Sequence, residues 1–503
     1  MESGSAVVLA AFVAFMISVC AVWIHSGKRG LPPGPKGWPL IGNIFDIPKG
    51  AMHVGYMKMA KDYGSDVLYL NMAGSPMLIL NSVEAVEDLL VRRAAIYSDR
   101  PRFPMIGELC GWDFALSLIK YGDQWRRSRA LFAKQFSPSS VQAYHKPCIV
   151  ENVHLFLNRL LNAPEEFQDH LVLLSAGIVL ATTYGIYLRD RNNPYLQSAE
   201  RAVQGFSEAA LPGAYLINTF PILEYIPEWF PGAGFKRKAK VERANVKGMI
   251  GDTIEFVKKS MADGTARSSM ASRALQEMKD DKSWSEEKET LLQNVAAALN
   301  TIILGLVLNP DVLRKGQTAV DAAIGKSTRL PNFDDEGKIP YVDALIMEGL
   351  RWRPIVPLGL PHYTTEEDMY RGYYVPANAI IIGNTWAILH DPATYGSNVD
   401  QFCPERFLNS DGTLSSKVPY PSAAFGYGRR ICAGKGIAQH QLWIAVASLL
   451  ACFDISQGVD GETSGAEAKP STEYVNKVLS YPSPYRCNIE PRSKTVACLI
   501  RSS

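Results

Sequence analysis

The chain has 503 residues, 47% of them hydrophobic and 20% charged, with a formal net charge of +2. That balance excludes a disordered or collagen-like chain, fits one able to bury a large core, and gives no basis for nucleic-acid binding. The 8 cysteines include no Cys-x-x-Cys pair, so no zinc ribbon or compact disulfide framework is expected and the thiols read as reduced and cytosolic.

Residues 6–24, AVVLAAFVAFMISVCAVWI, form an uncharged apolar run. At 1.5 Å per residue such a helix spans about 28 Å, close to the hydrocarbon core of an endoplasmic-reticulum bilayer. His25, Lys28 and Arg29 follow it, so the positive-inside rule predicts a single-pass anchor in that membrane with the body facing the cytosol. A cleaved signal peptide is the alternative; it calls for a basic start, where this chain has Met1-Glu2-Ser3. Residues 25–50 contain Leu31-Pro32-Pro33-Gly34-Pro35, a stiff extended hinge. Residues 51–492 make the main body, and 493–503 read as a frayed tail.

From Met52 the pattern gives helix, strand, strand, helix, with strands at 66–71 and 77–81 and the second helix at 83–93. Residues 98–121 are an irregular, greasy loop carrying Phe103, Met105, Ile106, Leu109, Trp112 and Phe114; Trp112 fits a core position equally well. Gly122 to Lys134 is a basic helix on which Trp125 and Arg129, at i and i+4, share a face. Arg126, Arg127 and Lys134 lie on other faces, toward an acidic partner or simply toward water. Helices follow at 138–162 and 166–188. Residues 211–235 hold too many prolines for one helix. Their apolar side chains, with Lys236, Arg237, Lys238 and Lys240 behind them, suit a loop dipping into a bilayer surface, or a buried connection. Asn309-Pro310-Asp311 has the form of a helix cap and start. A helix at 341–352 places Glu348 and Arg351 at i and i+3. Residues 354–361 read as extended, 372–386 as two strands, and 478–482 as a hairpin tip.

The most telling stretch is Phe425-Gly426-Tyr427-Gly428-Arg429-Arg430-Ile431-Cys432-Ala433-Gly434, a glycine-rich loop that presents one cysteine just before an apolar helix. A thiolate is a strong soft ligand for iron, and N–H groups of a turn and a helix start stabilise its charge. A small buried hydrophobe is the plain alternative for a lone cysteine. The stretch resembles the haem-binding loop of the cytochrome P450 family, Phe-x-x-Gly-x-Arg-x-Cys-x-Gly, at Phe425, Gly428, Arg430, Cys432 and Gly434.

That resemblance covers about Leu31 to Arg492 and implies a mainly α body with a small β lobe, residues 51–492 being the haem-thiolate catalytic domain. It implies Cys432 as the axial iron ligand and catalytic centre, with Phe425, Arg430 and Gly434 around it. Trp125, Arg129 and His362 match positions that contact haem propionates, although a lone histidine is as readily a structural one. Glu348, Arg351 and Arg406, the last from Pro404-Glu405-Arg406-Phe407, match a buried network that locks the cysteine loop. Phe103, Ile106, Phe114, Ile355, Val356, Leu358 and Leu479 are the implied substrate-pocket residues. The phrasing FGYGRRICAGKGIA is closest to fungal microsomal members. These take electrons from NADPH–cytochrome reductase, with cytochrome b5 as a further candidate, and insert one oxygen atom of O2 into an apolar small molecule: a terpenoid, polyketide, steroid or aromatic xenobiotic.

One block departs from the family. The distal helix should carry small-Gly-x-acid-Thr, whereas residues 285–309 read SEEKETLLQNVAAALNTIILGLVLN. Ala297-Ala298-Leu299-Asn300-Thr301 is the nearest imitation, with alanine for glycine and neutral Asn300 for the acid. The simplest reading is a loss of a dozen or so residues between Ala296 and Leu299, from a damaged or mis-joined gene. A real protein with a rebuilt helix is the other account. The alternatives to a monooxygenase are therefore a haem-binding membrane protein without turnover and a haem-thiolate isomerase.

Overall fold

A computed structural model describes residues 30–210, 213–277, 292–458, 472–476 and 478–503. The expected anchor at 6–24 lies outside the described residues. Among those described, no single helix is long and apolar enough to cross a membrane. The chain is mainly helical with small sheets, and divides into two compact units.

The smaller unit runs to Pro101 and adds Leu358–Ile388 and Tyr427–Arg430. Helix α1 (Met52–Tyr63) ends at Gly64, whose φ of 62° lets its N–H cap Ala60 and Lys61 carbonyls. Strands β1 (Val67–Met72) and β2 (Ser75–Leu80) pair antiparallel through Ala73-Gly74, both at positive φ, the geometry that matches strand twist. β3 (His362–Tyr363) and β4 (Ile380–Gly383) complete a mixed sheet in the order β1-β2-β4-β3, with β2 and β4 parallel. Tyr56, Leu68, Leu70, Met77 and Ile79 form its core, and Leu358 packs against them.

The larger unit comprises Arg102–Pro357, Leu389–Gly426 and Ile431–Ser503. Its helices are α2 (Asp123–Gln135), α3 (Lys146–Asn162), α4 (Phe167–Tyr184), α5 (Pro194–Ala209), α6 (Gly234–Ala262), α7 (Leu292–Leu308), α8 (Pro310–Ile324), α9 (Pro340–Trp352), α10 (Lys435–Cys452) and α11 (Lys494–Ser502). Helices α7 and α10 are apolar nearly all round, which is why they run through the core rather than over it. Strand β5 (Phe453–Gln457) pairs with β8 (Cys487–Pro491), and β6 (Tyr474–Asn476) with β7 (Ser480–Pro482). Of the tip expected at 478–482, Val478 and Leu479 lie between the paired strands, whereas Ser480–Pro482 are strand β7 itself.

Several local expectations change. The helix expected to Leu188 stops at Tyr184 because Gly185 takes φ 73° and closes it. The segment 354–361 is bent, not extended: it turns at Pro357–Leu358, and Gly359 has φ 60°. Asn309 takes the N-cap position of α8 with Pro310 after it, as expected, but its side chain makes no capping bond and donates back to the Gly305 carbonyl at 2.8 Å. The supposed frayed tail is helix α11, capped by Ser493 and held by buried Val496, Ala497 and Ile500. Trp112 belongs to the core, 5.2 Å edge-on from Phe206.

Candidate functional site

The cysteine loop of the larger unit is closed by its backbone: Cys432 N–H donates to the Phe425 carbonyl at 2.8 Å. Gly434, at φ −90°, is the N-cap of α10, so the loop feeds directly into a helix start. Burial pushes the Cys432 thiol up from its usual pKa, while the N–H groups of Gly434 and Lys435 and the Arg129 guanidinium favour the thiolate. Such a sulfur stays protonated when alone and is ready to lose its proton to a metal. Arg129 donates to the Ile431 carbonyl at 2.8 Å, which ties α2 to the same loop. Trp125, one turn earlier on that face, is buried 5.0 Å from Tyr121.

The three-residue network assembles as foreseen. Glu348 and Arg351 are both 0% exposed and pair through two bonds, Nε to Oε2 at 2.7 Å and Nη2 to Oε1 at 2.9 Å. Arg406 Nε reaches the same Glu348 Oε2 at 3.1 Å, and the Cys403 N–H reaches Oε1 at 2.8 Å. Arg351 also donates to the carbonyls of Leu389 and Gln401, and Arg406 to those of Tyr395, Asn398 and Gln401. The two arginines therefore satisfy four carbonyls of residues 389–401, while the Glu348 carboxylate takes the Cys403 N–H. Tyr395 and Phe407, at either end, pack with Ala423 and Ala424 just before the loop.

The smaller unit gathers cations. Arg100 donates to the Leu360 and Pro361 carbonyls at 3.0 and 2.5 Å, His362 Nδ1 to the Tyr97 carbonyl at 2.8 Å, and Arg430 Nε to the Ser98 carbonyl at 2.7 Å. Burial and then the Arg430 charge bring Arg100 down to about 9. Burial, and next Arg100, holds His362 well below its usual value. Carboxylates placed against this cluster would reverse both shifts, so the donor set fits an anionic group such as the propionates of haem. Arg100 was not singled out from the sequence; an arginine in the turn Ser98-Asp99-Arg100-Pro101 was the available signal.

A cavity of about 320 Å³ lies within the larger unit. Its wall is made by α4 (Gln168, Leu171, Ala176), α5 (Leu196, Val203), the start of α7 (Ala296, Ala297, Asn300) and the hairpin with Leu479 and Tyr481. Of the expected pocket residues only Leu479 lines it. Ile106 is buried, and Phe103 and Phe114 half-buried, in the core around Trp112. Ile355 packs on the main core and accepts the Ser480 N–H at 2.7 Å; Val356 is half-buried nearby in sequence. Thr301 is buried, and its hydroxyl receives that of Tyr474 at 3.4 Å, while Tyr485 donates to the Asn300 carbonyl at 3.0 Å.

The family profile described as Cytochrome P450 matches residues 32–478. The chain belongs to the cytochrome P450 family. Like other cytochromes P450 it uses haem held by a cysteine thiolate, takes electrons from a redox partner, and acts as a monooxygenase. It is similar to the cytochrome P450 monooxygenase COX2 of Coprinopsis cinerea, with 39% identity over 98% of this chain and 96% of that one. It is 37% identical to the tryptamine 4-monooxygenase of Psilocybe cyanescens over 96% of this chain and 98% of that protein. It is also 37% identical to the cytochrome P450 monooxygenase claR of Ampulloclitocybe clavipes, over 94% of this chain and 89% of that one. The first alignment runs over 516 positions, more than the 503 residues of this P450, so that relative has residues this chain lacks.

Proposed function

We propose that this P450 inserts one oxygen atom of O2 into an apolar small molecule (a terpenoid, polyketide, steroid or aromatic xenobiotic) in fungal secondary or xenobiotic metabolism. Its electrons come from NADPH through a cytochrome reductase, with cytochrome b5 as a second donor. The observation that carries the reading is the Cys432 sulfur, set at the start of α10 with the Gly434 and Lys435 N–H groups and Arg129 favouring its charged form. Haem, when bound, supplies the iron at which O2 is activated. In this reading Cys432 ligates the iron, with Phe425 and Gly434 shaping its loop. Trp125, Arg129, Arg100, His362 and Arg430 hold the propionates, and Glu348, Arg351 and Arg406 fix the segment leading to the loop. The carbon-monoxide difference spectrum of the purified chain tests it. A red-shifted thiolate band lost in Cys432→Ser is expected; no haem, or a spectrum indifferent to that change, overturns it.

The reading includes an endoplasmic-reticulum anchor at 6–24 with the body in the cytosol. Supporting it are the apolar run itself and the exposed Leu216, Ile222, Tyr225 and Trp229, the last two 82% and 79% exposed. Lys238 and Lys240 are already paired with Glu208 and Glu228, which leaves Arg237 as the better headgroup ligand there. Exposed Arg126, Arg127 and Lys134 supply a basic face for an acidic redox partner.

A second reading, a haem-binding membrane protein that turns over poorly, is favoured by one observation. Thr301 is buried against Tyr474, and the residue before it is Asn300 rather than an acid. NADPH consumption without matching product separates it from an efficient oxygenase.

A further inference from the structure

The 320 Å³ cavity is apolar apart from a few groups, and two of those groups are unusual. Asn300 Oδ1 and Gln168 Nε2 are buried and, among the described residues, have no hydrogen-bond partner. Both residues line this cavity, one from α7 and one from α4. Glu200, the acid in the wall, is paired with Arg191 at 2.7 Å. Leaving a buried acceptor and a buried donor unmet is costly, so two such atoms in one apolar chamber point to a ligand that meets them.

We propose that the chamber between α4, α5, the start of α7 and the 479–484 hairpin takes a compact apolar molecule bearing one hydroxyl, which donates to Asn300 Oδ1 and accepts from Gln168 Nε2. A hydroxyl is the smallest neutral group that satisfies both atoms at once. A carboxylate does not donate, a ketone only accepts, and a hydrocarbon does neither. The volume holds about ten water-sized groups at roughly 30 Å³ each, the size of a small polycyclic alcohol rather than a long acyl chain. Leu171, Ala176, Leu196, Val203 and Leu479 supply the apolar contact. The proposal rests on the monooxygenase reading only in calling the bound molecule a substrate. The cavity and its two amides belong to this chain whether or not oxygen is activated.

The test uses purified haem-loaded protein and three probes of one shape: 2-adamantanol, 2-adamantanone and adamantane. Calorimetry is expected to rank them in that order, the alcohol at least tenfold tighter than the hydrocarbon. Asn300→Leu should abolish the advantage of the alcohol over the ketone. Gln168→Leu should weaken alcohol and ketone alike while adamantane is unchanged. Asn300→Leu should also raise the melting temperature of the ligand-free protein, because it removes an unmet buried acceptor, and the same melting transition shows that the variant is folded. Equal affinities for the three probes, or the same ranking in wild type and both variants, overturns the proposal, as does failure of all three to bind. The thiolate band of the same samples is recorded in parallel. An intact band with no alcohol preference sinks this assignment alone, whereas a missing band sinks the haem-thiolate reading and leaves the ranking interpretable.

Discussion

Gly349 of α9 faces Ile302 of α7 so closely that a β-carbon on the glycine would fall well inside van der Waals contact of Ile302 Cγ1. One turn further along α7, a β-carbon on Gly305 would lie 2.8 Å from the Phe402 ring. These two approaches fix the C-terminal half of α7 against the helix that carries Glu348 and Arg351, and against the segment their network holds. The register of the distal helix is therefore set from its far end.

Gly349→Ala should lower stability. Alanine gains about 1 kcal/mol of helix propensity over glycine, but overpacking a closed core costs about 1–3 kcal/mol. Ile302 is fully buried and its Cγ1 is not the free end of a flexible chain, so the packing cost should prevail by about 1 kcal/mol. Urea unfolding measures it, and Ile302→Ala in the same chain should recover part of the glycine-site penalty.

Arg351→Ala should abolish haem incorporation. It leaves Glu348 buried with Arg406 as its one cation, removes the Arg351 donor from the Leu389 carbonyl and leaves Gln401 with Arg406 only. Removing one member of a buried ionic cluster costs about 3–5 kcal/mol. The haem-to-protein ratio on purification reports the outcome; a fully loaded variant with a normal thiolate band contradicts it. Arg351→Lys should fail nearly as badly, because one ammonium cannot make the two parallel bonds to Glu348.

How far this site was legible in the sequence depends on how many elements meet at each residue. Cys432, Glu348 and Arg351 sit in short motifs whose spacing is itself the geometry, so they were found. Arg100 is on no periodic element; it acts by reaching two carbonyls some 260 residues away, which local pattern does not encode. Gln168 and Asn300 are ordinary amides on apolar helices, and their significance appears only once four elements close a chamber. Helix α11 was missed because its amphipathic pattern is short and terminal, although Ser493 and the spacing Val496, Ala497, Ile500 announced it. The bend at Pro357–Leu358 was missed because Pro354, Pro357 and Pro361 all favour extended neighbours, while Gly359 lets the chain turn.

Asp343 makes stability depend on pH. Burial, and then the charge of Glu336, raises its carboxyl from the usual 3.8 to about 6. Glu336 is itself held by Lys146 at 3.1 Å and His440 at 2.6 Å, so its charge persists. Between pH 4 and 6 the folded chain keeps a proton on Asp343 that the unfolded chain releases. The favourable contribution is thus complete below about pH 4 and is lost as pH rises through 6. Above that, the buried charge costs about 3 kcal/mol. Asp343→Asn should raise the melting temperature at pH 7.5 and leave it nearly unchanged at pH 4; equal gains at both would refute the assignment.

Because Ile302 and Gly305 pin α7 from its C-terminal side, a loss of residues near Ala296 would displace only what precedes them. Eleven residues make about three turns and 16 Å of helix. An insert of that length after Ala296, carrying a small-Gly-x-Asp-Thr block, keeps Val295 on its present face while replacing neutral Asn300 with a carboxylate as the polar group of the distal helix. A positioned acid contributes typically 10²–10⁴-fold to a proton-transfer step. The insert should therefore raise NADPH-dependent product formation at least tenfold and lower the NADPH consumed per product. Leu299 to Leu308 should keep their packing, visible as an unchanged thiolate band. Equal turnover and coupling with and without the insert would mean that α7 as it stands, with Thr301 against Tyr474, is a rebuilt helix and not a truncated one.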